Sequence, residues 1–465
     1  MKGAEAVKTE FHRSPGDRTA RWLLRAIEWA RREPLFHALR ELERNQYLDP
    51  DEIAEIQATK LHRLLSVAGQ HPFYRDRLSS RFDETPLLLK EELRSNFDRI
   101  VTPGSEGTVD LCKTSGSTGR PLRFYRDKLV FGYTLASVYR AHRWHGLDIG
   151  AREAMLWGIP SDATARLSMH VRDIVLNRFR ESEYDLSTEV LNDFYRKCQR
   201  RRPAYLFGYS SMVYEFALFV RTAGLEGRCL GLKAAICTAE SIPVSYRQEI
   251  QETLGCRVVS EYGAAESGII SYECPLGSHH ISEDTVLLEL LGADNRPVPD
   301  GEVGRVVVTV LHSTSAPIIR YALGDFAIRS SLKCDCGVNL GALDRIIGRT
   351  SGVIVTPSGK CFHSIALYYV MKDYAARFGA VRQFRAVQTA LNQMDVYLVQ
   401  DTGATTVADE FLAHLVQKKF GGELNVTFIK CEQLPRSASG KLSDFESRLD
   451  SNALMLKSFG SLGEA

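Results

Sequence analysis

Several short stretches of this chain hold residue types that suit phosphate and carboxylate chemistry. Lys113-Thr114-Ser115-Gly116-Ser117-Thr118-Gly119-Arg120-Pro121 packs hydroxyls and glycines into one loop. Glycine lets the backbone come close to an anion, and hydroxyls and N–H groups donate to phosphate oxygens. The loop lacks the Gly-Lys-[Ser/Thr] ending of a Walker A motif, and taken alone it also reads as an ordinary turn. Glu261-Tyr262-Gly263-Ala264-Ala265-Glu266 follows a β-type run, as does Arg320-Tyr321-Ala322-Leu323-Gly324-Asp325. Arg345-Ile346-Ile347-Gly348-Arg349 and Leu434-Pro435-Arg436-Ser437-Ala438-Ser439-Gly440-Lys441 come later. A second constellation is Cys274, His280, Cys334 and Cys336. Three thiolates and an imidazole suit a closed tetrahedral zinc site, and four unrelated core residues are the plain alternative. His279 is a second candidate imidazole.

The elements that must position these residues alternate. Ala204–Tyr209, Lys233–Ala239, Arg257–Gly263, Thr285–Leu290 and Gly304–Leu311 are β-rich. Helical patterns at Ser187–Arg201, Ser210–Ala223 and Ser245–Leu254 fit between them, which predicts an α/β chain with substantial sheet. After Arg349 a compact α+β unit of about a hundred residues restarts the pattern. Its parts are strands at GVIVT, FRAVQTA, MDVYLVQ and NVTFIK and helices at Ser364–Phe378 and Val407–Lys419. Upstream, Thr19–Arg44 reads as helix split by Pro34, and a further helix spans Asp51 to about Ser80. The first of these carries eight arginines between Arg13 and Arg44. It reads either as a membrane- or partner-binding helix or as an amphipathic helix packed on the core with a solvated basic face.

The length of 465 residues predicts two or three domains. An apolar fraction of 44% with 25% charged residues excludes disordered and collagen-like chains. A net charge of +2 gives no whole-molecule attraction to nucleic acid. No run reaches the ~18 apolar residues that span a bilayer, and the first twenty residues lack an apolar signal core. Ten cysteines spread over this length then read as reduced thiols, some on a metal, in the cytoplasm.

In their order and spacing, the five stretches that end at Lys441 resemble the acyl-adenylate-forming enzymes. Within these they are similar to the phenylacetate–CoA ligase branch, including relatives from capsule-polysaccharide loci. The resemblance runs from about residue 60 to about 445. It implies a large multi-subdomain N-terminal adenylation domain, a small mobile C-terminal domain and an active site between them. The expected divisions are a helical extension over 1–60, the adenylation domain over 61–348 and the small domain over 349–465. It implies that a carboxylic acid, aromatic or aliphatic, reacts with Mg-ATP to give acyl-AMP and pyrophosphate before an acceptor attacks. The acceptor is CoA by default, or an amine or hydroxyl of a sugar or metabolite.

By motif position, Thr114, Ser115, Gly116, Ser117, Thr118 and Gly119 would hold the β- and γ-phosphates. Tyr262 would stack on adenine, Gly263 would bind the same nucleotide, and Thr238-Ala239-Glu240-Ser241 would lie at the adenine edge. Glu266 would bind Mg²⁺, Asp325 the ribose hydroxyls, and Arg349 the same nucleotide. Lys441 would be the adenylation lysine, delivering a cation where a carboxylate meets a phosphoryl group. The pattern of Cys274, His280, Cys334 and Cys336 also looks like the zinc-bearing loops of these relatives. His280 is preferred to His279 because it aligns with their H-[VI]-x-E-D run.

Some positions depart from the pattern. Ala265 stands where Thr or Ser is usual, which favours a catalytically idle, nucleotide-binding relative as the alternative. Ser351 stands where a hinge aspartate is usual. Val353-Ile354-Val355-Thr356-Pro357-Ser358-Gly359-Lys360 lacks the segment that helps form the pantetheine tunnel, which favours an acceptor other than CoA. Three further readings carry less. His279-His280-Ile281-Ser282-Glu283-Asp284 matches an acyl-transfer HHxxxD signature, but Thr285 replaces its glycine. Gly208-Tyr209-Ser210-Ser211-Met212 has Met212 where a nucleophile elbow needs glycine. Arg196-Lys197 with Arg200-Arg201-Arg202 suits either a CoA phosphate or a solvated helix end. Trp157, Phe207 and Tyr209 suit an acyl pocket or simple core packing.

Overall fold

The computed structural model describes residues 15–31, 34–113, 122–157, 163–181, 187–240, 242–292, 294–349 and 353–358, then 361–363, 367, 370–371, 374, 381–400, 406–431, 434 and 445–449. The chain opens with three helices, α1 (Pro15–Arg31), α2 (Leu35–Asn45) and α3 (Pro50–Ala68). Pro34 falls between the first two, where a residue without an N–H cannot continue a helix. A capping box starts α3: Asp49 accepts from the Glu52 N–H at 3.0 Å and Glu52 returns the bond at 3.0 Å. The helix expected to reach Ser80 stops at Ala68. Gly69 ends it, and Pro72 lies three residues on. Residues 69–80 are turns and bends instead.

A short helix α4 (Lys90–Asn96) leads to a two-stranded ladder, β1 (Val109–Lys113) and β2 (Arg123–Asp127). Lys113 pairs with Arg123 there, so the hydroxyl–glycine loop leaves from and returns to one ladder end. Asp127 then caps α5 (Lys128–Trp144) through the Leu129 N–H at 2.8 Å.

Four strand–helix units follow. They are β3 (Glu153–Leu156) with α6 (Ala163–Val175), β4 (Arg178–Glu181) with α7 (Thr188–Arg201), β5 (Tyr205–Tyr209) with α8 (Ser210–Thr222), and β6 (Ala234–Thr238) with α9 (Val244–Leu254). With β7 (Arg257–Ala264) the strands form a parallel set in the order β4-β3-β5-β6-β7. The chain then changes habit. β8 (Gly268–Glu273), β9 (His279–Ile281), β10 (Val286–Leu291), β11 (Val303–Val310), β12 (Tyr321–Arg329) and β13 (Ala342–Arg349) are antiparallel. All eleven strands make one sheet, β10-β11-β12-β13-β9-β8-β7-β6-β5-β3-β4.

Two cores follow from this change. Phe194, Met212, Val213 and Phe216 pack the helices onto one face of the parallel half. Ile281, Leu288, Val306, Val308 and Tyr321 fill the inside of the antiparallel half. That half must curl, because its inward residues pack on one another from strands several places apart.

Past Arg349 lies a smaller unit. A hairpin, β14 (Val353–Val355) and β15 (Cys361–His363), precedes the sheet β18-β17-β16-β19. These strands are β16 (Val381–Ala390), β17 (Gln393–Gln400), β18 (Asn425–Lys430) and β19 (Phe445–Ser447), with helix α10 (Thr406–Phe420) before β18. Leu398, Leu412, Val416 and Phe420 form its core. This matches the expected α+β unit, with the helix near Ser364–Phe378 described only at 367, 370, 371 and 374.

Arg320 holds the start of β12. Its guanidinium makes two bonds to the Glu289 carboxylate, at 3.1 and 2.9 Å, and donates to the carbonyls of Asp83 and, at 2.7 Å, Thr85. Both partners are largely buried, so neither charge has water as a substitute. Arg320→Ala is expected to cost about 3–5 kcal/mol in urea unfolding, because Glu289 is then left charged and unpaired. Exposed Arg81→Ala is expected to cost almost nothing by the same measurement.

Candidate active site and metal centre

Tyr262 meets Asp325, and Glu266 meets Tyr321 at the start of the same β12. The Tyr262 hydroxyl donates to Asp325 Oδ2 at 2.8 Å, and the Tyr321 hydroxyl donates to Glu266 Oε1 at 3.2 Å. β7 and β12 are separated in the sheet by β8, β9 and β13. In a flat sheet that separation would be roughly 19 Å, four steps of about 4.8 Å each. The curl of the antiparallel half therefore builds this contact.

The β7–β8 hairpin is shaped for it. A register shift sits between Tyr262 and Gly263. A Cβ on Gly263 would lie 2.3 Å from the Gly268 carbonyl oxygen, so only glycine allows the two strands to meet there. Gly268 has φ +73, and its own Cβ would meet Thr134 of α5 at 2.4 Å.

Ala239 follows β6 in a left-handed conformation, φ +66, which is strained for a residue with a side chain. Glu240 caps α8, its carboxylate accepting from the Ser211 N–H at 2.9 Å. The adenine-edge expectation therefore rests on backbone here, since the Glu240 side chain is engaged elsewhere. Ala239, Glu240, Tyr262 and Gly263 lie at the carboxyl ends of parallel strands, where open α/β sheets bind their ligands. Arg349, the last residue of β13, pairs in register with Asp325. Thr114–Gly119, Ser241 and Lys441 lie outside the described residues.

Glu261 is a site residue that motif reading left without a role. Its Oε1 accepts from the Thr238 hydroxyl at 2.9 Å. Burial pushes its carboxyl up to about 7, the Thr238 bond opposes the shift, and the charge of Glu153 adds to it. The signal was a lone acid inside the apolar run Val258–Tyr262. Trp157 lies near Tyr209 and Phe207, with ring centroids 4.3 and 5.6 Å away, also at strand ends. Trp157 and Phe207 are half-buried and pack against the core clusters beneath them.

The metal constellation assembles. One ligand atom from each of Cys274, His280, Cys334 and Cys336 lies within 4.8 Å of all the others. Cys274 Sγ and Cys334 Sγ are 3.7 Å apart, and His280 Nε2 is 3.1 Å from Cys336 Sγ. A zinc tetrahedron with ~2.3 Å Zn–S bonds has S···S edges of about 3.8 Å, and a disulfide needs about 2.05 Å. His280 Nδ1 lies 2.8 Å from the Leu340 carbonyl, which fixes the proton there and leaves Nε2 to ligate. His279 is turned aside, its Nδ1 3.4 Å from the Ser271 hydroxyl.

The same contacts dispose of the HHxxxD reading. Asp284 is buried against Arg140 at 2.8 Å, and His280 faces Cys336. The 196–202 basic run serves local structure. Lys197 pairs with Glu181 at 2.6 Å, Arg201 lies over the Phe179 ring, and Arg202 donates to the Cys229 carbonyl. Thr356 and Ser358 belong to the β14–β15 turn, where Glu423 receives the Ser358 N–H and hydroxyl, both at 2.8 Å.

A sequence model of the CapK C-terminal domain matches residues 354–445. Protein CapK of Staphylococcus aureus is 23% identical over 373 residues, covering 78% of this chain and 79% of that protein. Phenylacetate-coenzyme A ligase of Thermus thermophilus is 25% identical over 449 residues, covering 85% and 96%. A crystal structure of 2-hydroxyisobutyryl-CoA ligase in the postadenylation state superposes with a TM-score of 0.69 at 19% identity, covering 89% of this chain and 93% of that one. By sequence the chain resembles protein CapK and the phenylacetate–CoA ligases, and its fold is that of the solved CoA ligase.

Two outcomes follow from the site. Metal analysis of purified protein is expected to find about one equivalent of zinc, and none in the Cys334→Ser/Cys336→Ser double variant. Glu261→Gln is expected to stabilise the fold with a definite pH profile. The carboxyl ordinarily titrates near 4.5 and here near 7, so the folded chain holds its proton more tightly than the unfolded one. Wild-type stability therefore falls between those pH values and stays lowered above them. The advantage of the Gln variant in thermal unfolding should be absent below pH 4.5 and full above 7. Its size should be roughly 1–2 kcal/mol, discounted for partial solvent access.

Proposed function

We propose that this protein joins a carboxylic acid to the AMP part of Mg-ATP, releasing pyrophosphate, and then transfers the acyl group to an acceptor. The observation that carries this reading is the Tyr262–Asp325 contact at 2.8 Å at the carboxyl ends of the parallel strands, with buried Glu266 held by Tyr321 of the same β12. Tyr262 offers its ring to adenine, with the backbone of Ala239, Glu240 and Gly263 along the base edge. Asp325 accepts from the ribose hydroxyls, and Arg349, opposite it, supports the same nucleotide. The glycine–hydroxyl loop Thr114–Gly119 receives the β- and γ-phosphates. Glu266 holds Mg²⁺, which offsets phosphate charge while the acid approaches. Lys441 supplies the cation for the forming acyl-phosphate bond, since two anions must meet there.

In this reading the large domain carries the nucleotide, and the unit after Arg349 brings Lys441 to it and withdraws it. Trp157, Phe207 and Tyr209 line the acid's site, which suits an aromatic acid. Zinc on Cys274, His280, Cys334 and Cys336 is structural, because no coordination position stays open. The acceptor is CoA, or an amine or hydroxyl in polysaccharide biosynthesis. The Thr356–Ser358 turn, where the pantetheine-tunnel segment is expected, favours the second. Ala265 supports a rival reading as an idle nucleotide-binding protein, because a hydroxyl contact to the α-phosphate is missing.

Mass spectrometry of acyl-AMP formed from a mixed carboxylic-acid library, with pyrophosphate release measured in parallel, tests the proposal. One acid or one narrow class should be consumed, and Lys441→Ala should slow its adenylation about a hundredfold or more. Nucleotide binding without turnover on any acid sinks the enzyme reading in favour of the idle one. Acyl-AMP that survives added CoA excludes CoA as acceptor.

A further inference from the structure

Two adjoining helices present apolar side chains to solvent where a packed core would be expected. On α1, Ala20 and Leu24 turn inward, while Trp22 is 68% and Trp29 85% exposed. Seven residues apart, the two indoles fall about 20° from each other around the helix. At about 100° per residue both point nearly opposite Leu24. On α6, Leu167, Val171 and Ile174 are 67%, 54% and 63% exposed, at i, i+4 and i+7 of one stripe. The helices touch each other, and Asn177 at the end of α6 donates to Asp17 of α1 at 3.3 Å. Five of the thirteen exposed large apolar residues among the described positions therefore lie on this one pair of helices.

Among the described residues of these two helices, the exposed charges have one sign. Arg18, Arg25, Arg166 and Arg172 are exposed on the same helices. The acids of both are turned away and occupied. Asp17 takes the Asn177 amide, Glu28 accepts the Phe36 N–H at 2.8 Å, and Asp173 is paired with Arg180 at 2.5 Å. The chain as a whole is nearly neutral at +2, so this face is a local excess rather than a general property.

We infer that the outer face of α1 and α6 docks the protein on an anionic lipid surface, with Trp22, Trp29, Leu167, Val171 and Ile174 entering the headgroup–acyl boundary. Indoles favour that boundary because the ring is apolar and its N–H is polar. The arginines meet lipid phosphates beside them. A protein partner of ordinary surface would bring both signs of charge and would leave some of these arginines without acids. The attachment is peripheral, since no helix of the described residues is long and apolar enough to cross a membrane. It is independent of the reading of the nucleotide site.

Co-sedimentation of the full chain with vesicles tests this. One set is phosphatidylcholine alone, and the other contains phosphatidylglycerol as about one lipid in three. The variants are Trp22→Ser/Trp29→Ser and Arg18→Glu/Arg166→Glu, each checked for an unchanged melting temperature, which exposed positions should preserve. The expected result is binding to the anionic vesicles only, weakened by salt and reduced about tenfold or more in both variants. Absence of binding overturns the inference, and so does binding equal in wild type and the tryptophan variant. It is also overturned if light scattering finds a dimer that the tryptophan substitutions dissolve, because a second copy then covers the face.

Discussion

One hydrogen bond measures whether the large sheet has its working shape. Tyr262 on β7 reaches Asp325 on β12 only because the six antiparallel strands roll over far enough to bring non-neighbouring strands together. Several local features serve that roll. The register shift and the Gly263–Gly268 approach bend the β7–β8 hairpin at the point where curvature begins. Arg320 pins the far end, tying β12 to β10 through Glu289 and to the 83–85 segment through carbonyls. Glu266 then sits under Tyr321, the first residue of the same β12. The geometry of this contact is therefore set by sheet curvature.

The N-terminal helices brace the outside of that curl. Gln57 of α3 donates to the Glu283 carbonyl at 2.8 Å and the Val286 carbonyl at 3.1 Å, and Lys60 donates to the Asp284 carbonyl at 2.8 Å. Arg140 of α5 closes on Asp284 from the other side, a fully buried pair. Ile53 of α3 packs on Val338 and Leu340, directly beside Cys336. Filling the Cys/His cluster therefore joins the β8–β9 and β12–β13 loops at the place where α3 leans on them. A metal there would act on the stability of the curled half.

Much of this was legible in the sequence, for identifiable reasons. The strands at Ala204–Tyr209, Lys233–Ala239 and Arg257–Gly263 are runs of apolar and β-branched residues between turn signals, and they fold as read. The four metal-cluster residues were recognisable by residue type and come together as expected. The end of α3 was overread, because Gly69 and Pro72 outweigh the apolar periodicity beyond them. The roles of Arg320 and Glu261 were not legible. Each depends on partners, Glu289 and Thr238, that only strand register and curl bring within reach. The outward tryptophans of α1 were equally hidden, since Leu24 rather than Trp22 turned out to define the inner face.

The pairing of Asp325 with Arg349 has a mechanical meaning. It is the final rung of the β12–β13 ladder before the chain departs for the smaller unit. On the nucleotide reading, a pivot beyond that rung would be bolted to the frame holding the sugar-binding carboxylate, and torque from the smaller unit would reach Asp325 through one backbone step.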